Sequence, residues 1–419
     1  MVALPTPTAA LKRSLFTPRT LTQTLALAGS LLLPALSLAD SSSDRLAQPP
    51  LTSALAQQSL LLDITQAGNR LVAVGERGHV LYSDDKGQHW QQADVPSRSA
   101  LTAVFFSDSQ HGWAVGHDGL ILASTDGGAH WHKQLDGKDI NQLQLDVARQ
   151  QLAALQQTLA DSADPDQQET LELAIEEAEY AVEDAVSATE DGPGAPLLDI
   201  WFANAQHGFV VGAYGTLLRT QDGGSSWQSV ANGPDNPDRL HLNAINATTS
   251  GQLLIAGEAG SLFRSSDHGD SWQTLDSPYE GSFFGISQSQ TNGVLLYGLR
   301  GHAFHSADNG DNWQAINSTS QTSYFSSTRL ADGSVLLVGG NGSLSHASSS
   351  QPQLQPLKKR ERRPLSGLVA LDDRLVLIGA GGISSRALPP ALLSETARSA
   401  EKPTLAAHKP GNSNPQEAL

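Results

Sequence analysis

Cysteine is absent from all 419 residues. That excludes a disulfide framework and any thiolate metal site. Positive charge is scarce as well. Lysine and arginine together number 26 against 43 aspartates and glutamates, for a formal net charge of −17. An acidic balance of this size argues against nucleic-acid binding and against adhesion to anionic lipid, and plain solubility is its simplest use. The 13 histidines are scattered, with no H-x-x-x-H pair on a helix, so the chain offers no metal-ligand spacing. No glycine-rich loop leads from a strand into a helix, the arrangement that cradles phosphate. No cofactor is therefore expected.

Residues 1–39 contain no acidic residue. Lys12, Arg13 and Arg19 precede the apolar stretch Leu25–Leu38, which ends in Ser37-Leu38-Ala39. This is the layout of a secretory signal peptide, with cleavage expected after Ala39. The apolar stretch is too short to anchor in a membrane and is broken by Gly29 and Pro34. With no cysteine to follow, a lipoprotein anchor is not expected. Cleavage removes three basic residues and no acidic one, taking the formal charge from −17 to −20. The expected location is periplasmic or secreted, with no direct membrane insertion of the mature chain. An exported chain without disulfides depends on its core alone, and about 330 residues of repeat are enough to build one.

Those repeats dominate the chain. Ser83, Asp85, Gly87 and Trp90 form an S-x-D-x-G-x-x-W box. It recurs at Ser124/Asp126/Gly128/Trp131, Thr220/Asp222/Gly224/Trp227, Ser265/Asp267/Gly269/Trp272 and Ser306/Asp308/Gly310/Trp313. A G-x-x-G mark shares the period. Its first glycines are Gly75, Gly116, Gly212, Gly257, Gly298, Gly339 and Gly379, spaced 41, 96, 45, 41, 41 and 40 residues apart. Seven units of about 40 residues, each holding four short strands, describe a β-propeller. The long interval marks an insertion after the second unit. Within a box, Ser/Thr and Asp suit a tight turn, Gly supplies positive φ, and Trp buries a large apolar area. The five Asp–Trp pairs are therefore read as structural.

The boxes resemble the Asp-box, or bacterial neuraminidase repeat. The phrase Gln110–Trp131, QHGWAVGHDGLILASTDGGAHW, echoed by Gln206–Trp227, resembles the repeat of the photosystem II stability/assembly factor-like family. The resemblance runs from about Leu60 to Arg386. It implies an all-β, seven-bladed propeller acting without catalysis, and an arginine-lined surface near the G-x-x-G turns.

Residues 59–387 are thus expected to form the propeller. In each blade the G-x-x-G turn joins the second and third strands, and the box joins the third and fourth. Turns and blade-to-blade connections then share one face, and boxes the other. Blade seven runs out after three strands, so residues 40–58 are a lead-in able to supply its closing strand from Arg45–Ser59. Residues 135–195 read as a two-helix hairpin on the G-x-x-G face. Ile140, Leu143, Val147, Leu155 and Leu159 form one apolar stripe; Leu171, Ile175, Ala178, Val182 and Val186 form the other. Pro165 suits the first turn of the second helix. From Asp161 to Asp191 there are twelve acidic residues and no basic one. This is either a solvated face or an arm for a basic partner surface. Residues 388–419 read as a disordered tail.

Candidate partner-binding residues lie in the turns: Arg77, His117, Asp118, Tyr214 and Arg300, with Glu76, His302 and Asn341 beside them. Arg77 and Arg300 match the arginine-lined surface that the resemblance implies. The same position holds Asp118, Tyr214, Ala259, Asn341 and Gly381 in the other blades. A basic cluster, Lys358, Lys359, Arg360, Arg362 and Arg363, falls between blades six and seven. It is a solvated loop, a partner for the acidic hairpin, or a site for an acidic partner.

The expected function is an exported binding scaffold or assembly factor for a membrane or envelope protein complex. The client is a photosystem II-type complex in a phototroph, and another envelope complex, such as a transporter, elsewhere. The alternative is a sialidase-like glycoside hydrolase or glycan-binding propeller. Against it, the early Phe-Arg-Ile-Pro segment is missing and no Tyr–Glu–Arg grouping is evident, although Tyr279-Glu280 stands on a suitable connection.

Overall fold

The computed structural model describes residues 44–231, 233–288, 293–348, 353–357 and 361–393. The signal-peptide reading of residues 1–39 lies outside them. Within them the chain forms seven sheets in sequence order, antiparallel except at the outer edge of the sixth, where Asn317–Ser318 pairs in parallel with Gln353–Pro356. Blade one pairs Leu61–Ala67, Arg70–Gly75, Val80–Ser83 and Gln91–Gln92, in that spatial order. Blades two to five repeat the pattern. Each first strand contacts the first strand of the next blade, and that of blade seven contacts that of blade one. The ring is therefore closed, with first strands inside and fourth strands outside.

Burial explains the sequence grammar. Five of the second strands, Gly112–Gly116 and Val294–Gly298 among them, are buried at every residue, and the other two are open only at the leading Arg70 and Arg374. Each is covered on both faces by neighbouring blades and so reads as a continuous apolar run rather than an alternating one. The cores lie between blades. Val72, Val74 and Val80 of blade one pack with Leu101, Val104 and Leu122 of blade two. Leu71 and Ala73 of blade one pack with Val376 and Ile378 of blade seven.

The boxes lock these layers. Ser265 Oγ donates to Asp267 Oδ1 at 2.8 Å and accepts from the Gly269 amide at 2.8 Å. Asp267 Oδ1 in turn accepts from the Ser271 amide at 2.9 Å. Bonds from the Ser271 hydroxyl and amide hold this carboxyl down at about 2. The turn presents Gly269 to Phe209 of the preceding blade, so closely that a Cβ there would stand 2.3 Å from the ring. Gly128 meets Val72, and Gly87 meets Val376, in the same way. Each box thus fastens its own blade to the second strand of the one before. Trp90, Trp131 and Trp227 are buried, and the indoles of the first two donate to Gly87 and Gly128 carbonyls. Asp85, Asp126, Asp222 and Asp308 repeat the carboxylate's role on their own turns, while Trp272 and Trp313 are half-buried.

Two expectations are corrected. Among the described residues blade seven holds three strands, Leu365–Ala370, Arg374–Gly379 and Ser384–Ala387, and residues 45–59 contribute none. The lead-in forms short 3-10 turns at Arg45–Ala47 and Ala56–Gln58. Pro49 and Pro50 lack the amide protons a ladder needs, and the Asp44 carboxylate caps the first turn by accepting from the Leu46 amide. Leu46 and Ala56 are buried against blade one instead. A single backbone bond, Ile383 N–H to Gln57 O at 2.9 Å, reaches blade seven's turn. The tail reading also fails for residues 388–393, while residues 394–419 lie outside the described residues. Leu388 and Leu393 are buried with Leu330, Leu368 and Leu375, because two leucines repay the ordering of a short segment.

The insertion forms α1, Gly137–Asp161, and α2, Pro165–Asp191, packed on each other. Asp136 caps α1, and Asp164 with Pro165 starts α2. Asn141 Nδ2 donates to the carbonyls of Ala188 at 2.6 Å and Gly192 at 3.2 Å, stapling the foot of the arm.

Candidate functional site

The G-x-x-G turns are built by close approach. A Cβ on Gly75 would stand 2.2 Å from the carbonyl oxygen of Leu60, and one on Gly78 would stand 2.2 Å from that of Ser97. Gly78 also has φ +70°. The residue between them is forced left-handed while carrying a side chain. Arg77, Asp118, Tyr214, Ala259, Arg300 and Asn341 have φ of 58, 59, 56, 50, 55 and 56°. That conformation costs a residue with a Cβ about 1 kcal/mol each time. Six of the seven repeats accept the strain; the seventh carries Gly381, which is not left-handed.

The structure sorts the candidates. Arg77 and Arg300 are exposed, and among the described residues neither forms an ion pair. Tyr214 is 64% exposed, its ring edge-on to His241 at 5.1 Å. His117 is exposed. Asp118 is committed: it accepts from Ser99 Oγ at 2.6 Å, and its carbonyl lies under Gly137 at the foot of α1. Arg362 and Arg363 are exposed, and Arg363 Nη1 reaches the Ala380 carbonyl at 3.4 Å, over the turn that carries Gly381. Lys358, Lys359 and Arg360 lie outside the described residues. The face is thus polarised. Arginines occupy blades five, seven and one, and the acidic arm stands on blades two and three. Among the described residues the arm's ion pair to the propeller is Asp184 with Arg239 at 3.8 Å, not with Arg362 or Arg363.

The ring's inner wall holds groups that sequence reasoning missed. At equivalent first-strand positions stand Asp63, Ala103, Asp199, Ala244, Gly285, Ser326 and Gly367. Small residues fit the crowded axis, and the two carboxylates are the exceptions. Asp63 accepts from its neighbour Ile64 N–H at 2.8 Å and from Val104 N–H of blade two at 2.9 Å. Asp199 accepts likewise from Ile200, at 2.8 Å, and from Ile245 of blade four, at 2.8 Å. Each is partly open to the axial space yet surrounded by protein. Burial pushes Asp63 up to about 6 against the pull of its two amide donors. Burial, aided by the charge of Asp63, pushes Asp199 up to about 7. Tyr297 fills the space left by Gly285 and is also pushed up, first by burial. The signal was available: an aspartate two residues into an otherwise apolar first strand, where the other repeats place a small residue.

These carboxylates are ties between blades. The residue before them does similar work elsewhere. Thr102 Oγ1 donates to Leu197 O at 2.6 Å, and Asn243 Nδ2 donates to Phe283 O at 2.8 Å. Tyr279, the tyrosine with sialidase-like placement, stacks on His302 at 4.1 Å instead of facing the axis with an arginine. Among the described residues no three His, Asp or Glu side chains gather as a metal site would require. None of the described helices is long and apolar enough to cross a membrane.

The model of the family described as Photosynthesis system II assembly factor YCF48 matches residues 84–150 and 187–370. The unmatched interval falls inside α1 and α2. Among curated proteins, the Photosystem II assembly lipoprotein Ycf48 of Trichormus variabilis is 47% identical over 53 residues, 12% of this chain. The counterpart in Nostoc gives the same figures. The match spans 15% of the length of these relatives. A solved structure described as YCF48 bound to D1 peptide superposes with a TM-score of 0.55 at 16% identity, covering 82% of this chain and 99% of its own. Virginiamycin B lyase from Staphylococcus aureus reaches 0.58 at 10% identity, covering 80% and 97%. At such identities the superpositions speak for the fold alone, and an enzyme shares it as readily as an assembly factor.

Proposed function

The chain belongs to the family described as Photosynthesis system II assembly factor YCF48, whose model matches more than half of it, and from that membership we propose that it is a non-catalytic scaffold that helps assemble or stabilise a membrane protein complex. The client sits on the G-x-x-G face. The observation that carries this reading is the set of turns that hold Arg77, Tyr214 and Arg300 left-handed and exposed. A fold that keeps strained, solvent-facing side chains at equivalent positions is holding them for contact rather than for stability. The solved relative named as bound to a D1 peptide supports a peptide segment of a membrane protein as the contacted element.

The mature chain works outside the cytoplasm. The signal-like residues 1–39 support this, as does the word lipoprotein in the names of two relatives. This sequence itself contains no cysteine. In a phototroph the client is a photosystem II-type complex. In another organism it is a different envelope complex; a transporter is one such client, to which no comparison speaks. The absence of catalysis is supported by the axial carboxylates, whose oxygens are occupied by backbone amides.

The test is site-specific photo-crosslinking in intact cells. A photoreactive residue replaces Arg300 on the turn face or, as control, Asp270 beside a box. The expected result is an adduct with a membrane-complex subunit from position 300 and none from 270. Equal adducts from both faces, or none from 300, overturn the proposal.

A further inference from the structure

The arm does more than stand on the disc. Between it and blade three lies a groove of about 640 Å³, within the range of ligand-binding clefts. One wall is helical: Gln144 and Ala148 of α1, Asp184 and Asp191 of α2. The other is the blade: Tyr214 and Arg239. Alanines 148, 181, 185 and 188 line the helical side, so no large side chain of the arm fills the space.

Exposed apolar surface gathers at this groove. Leu173, Tyr180, Asp184 and Asp191 are spaced 7, 4 and 7 apart, which puts them on one line along α2. The two acids lie in the groove, and Leu173 (62% exposed) and Tyr180 (61%) carry the line outward. With Tyr214 at 64%, three of the six large hydrophobic side chains most exposed in the described structure flank this path. Two are tyrosines, amphipathic residues enriched where proteins meet.

Charge identifies the occupant. From Asp161 to Asp191 the arm carries twelve acids and no base. Among the described residues Asp184 pairs in the groove with Arg239 alone, at 3.8 Å with both side chains more than half exposed. A pair that open contributes little, and an incoming cation displaces it at small cost. The family's model also breaks at residues 151–186, so the arm is an addition to the shared propeller.

We infer that the groove between the arm and blade three binds an extended, lysine- or arginine-bearing segment of the client, with the basic side chains on Asp184 and Asp191 and apolar ones along Tyr214, Tyr180 and Leu173. This rests on the scaffold reading and adds a second contact of opposite sign to the arginine-bearing sector.

The experiment is fluorescence anisotropy with the full-length protein and a labelled peptide of alternating lysine and leucine, against a glutamate–leucine control. The lysine peptide binds and the control does not. D184N/D191N weakens binding about tenfold. Asp276→Asn with Asp372→Asn, the same charge change on exposed sites elsewhere, leaves it within twofold. Ala148→Trp, which fills the groove, removes it. Circular dichroism checks that the arm stays helical, and Tyr214→Ala, expected to weaken binding at least fivefold, replaces Ala148→Trp if it does not. Equal loss from both charge pairs would mean diffuse attraction to an acidic protein and sinks the inference. Tighter binding on removal of residues 394–419 would make the chain's own end the occupant, and sinks it too. Peptide binding that survives all groove variants while position 300 still crosslinks discards the groove and leaves the scaffold reading intact. Groove-dependent binding without a crosslink at 300 does the reverse.

Discussion

Ser366 donates its hydroxyl to the carbonyl of Leu61, 305 residues earlier in the chain, at 2.6 Å. This bond spans the seam between the last blade and the first. The first strands meet there, and Leu71 packs on Val376, but no strand is shared across the seam. Closure is by side-chain packing and side-chain hydrogen bonds, joined by the backbone bond from Ile383 to Gln57 of the lead-in.

Ser366→Ala should therefore cost about 1 kcal/mol, the net value of one such bond. Hydrogen exchange should show faster exchange at Leu61–Ala67 and Leu365–Ala370 than at blade four. Ser366→Thr should restore wild-type behaviour. Uniform exchange around the ring in the alanine variant would show that the seam is no weaker than any other joint.

The axial carboxylates make stability fall as pH rises. Asp63 and Asp199 have folded pKa values of about 6 and about 7, above the 3.8 of the free group. Below about 4 both are protonated folded or unfolded. Between there and 6 to 7 the folded state holds protons that the unfolded chain has released, so its advantage shrinks by up to ~1.4 kcal/mol per group per pH unit. Asp199→Asn should flatten the profile of urea-unfolding free energy from pH 4.5 to 7.5. It also loses one amide acceptor, lowering stability at pH 4.5 by about 1–3 kcal/mol. A variant with the wild-type slope would locate the titration elsewhere.

Contact and stability should trade against each other at the turns. Arg300→Gly and Tyr214→Gly release a left-handed strain of about 1 kcal/mol each. Tm should stay level or rise while client crosslinking falls. A glycine variant that is destabilised by more than about 1 kcal/mol would mean that the side chain holds the turn rather than the client.

The chain from Leu388 to Leu393 should be indispensable to the propeller. Ending the protein after Leu393 should leave Tm unchanged. Ending it after Ala387 uncovers Leu330, Leu368 and Leu375 and should cost about 3–6 kcal/mol, the burial of two leucines. Equal Tm for the two truncations would show that the leucines contribute nothing there.

Much of this was legible because each blade writes the same requirements into the chain. Gly75 and its equivalents cannot be replaced without striking the preceding strand. Ser265, Asp267 and Gly269 complete one hydrogen-bonded loop, so they recur as a unit. The helices were legible from their stripes and from Pro165. The lead-in was not, because a missing strand invites a donor, and the invitation outweighed the evidence of Pro49 and Pro50. Leu388 and Leu393 were hidden in a composition that reads as tail. Asp63 and Asp199 were hidden because the repeat signal draws attention to what recurs, and these two depart from it. The site was half legible. Arg77 and Arg300 stood at recurring positions, but the groove needs α2 and Tyr214 to be close in space, which no spacing announces.

The stapled foot of the arm has one more implication. The chain leaves blade two at Leu135 and resumes in blade three at Leu197, and Asn141 joins the outgoing and returning ends. The seven sheets take no strand from the excursion. Beyond its foot, where Ile140 and Leu143 pack into the core of blades two and three, the arm is therefore a cassette: its length and charge can be rewritten without touching a strand. A lineage that needs a new client need not rebuild the ring, only the sixty residues that stand on it.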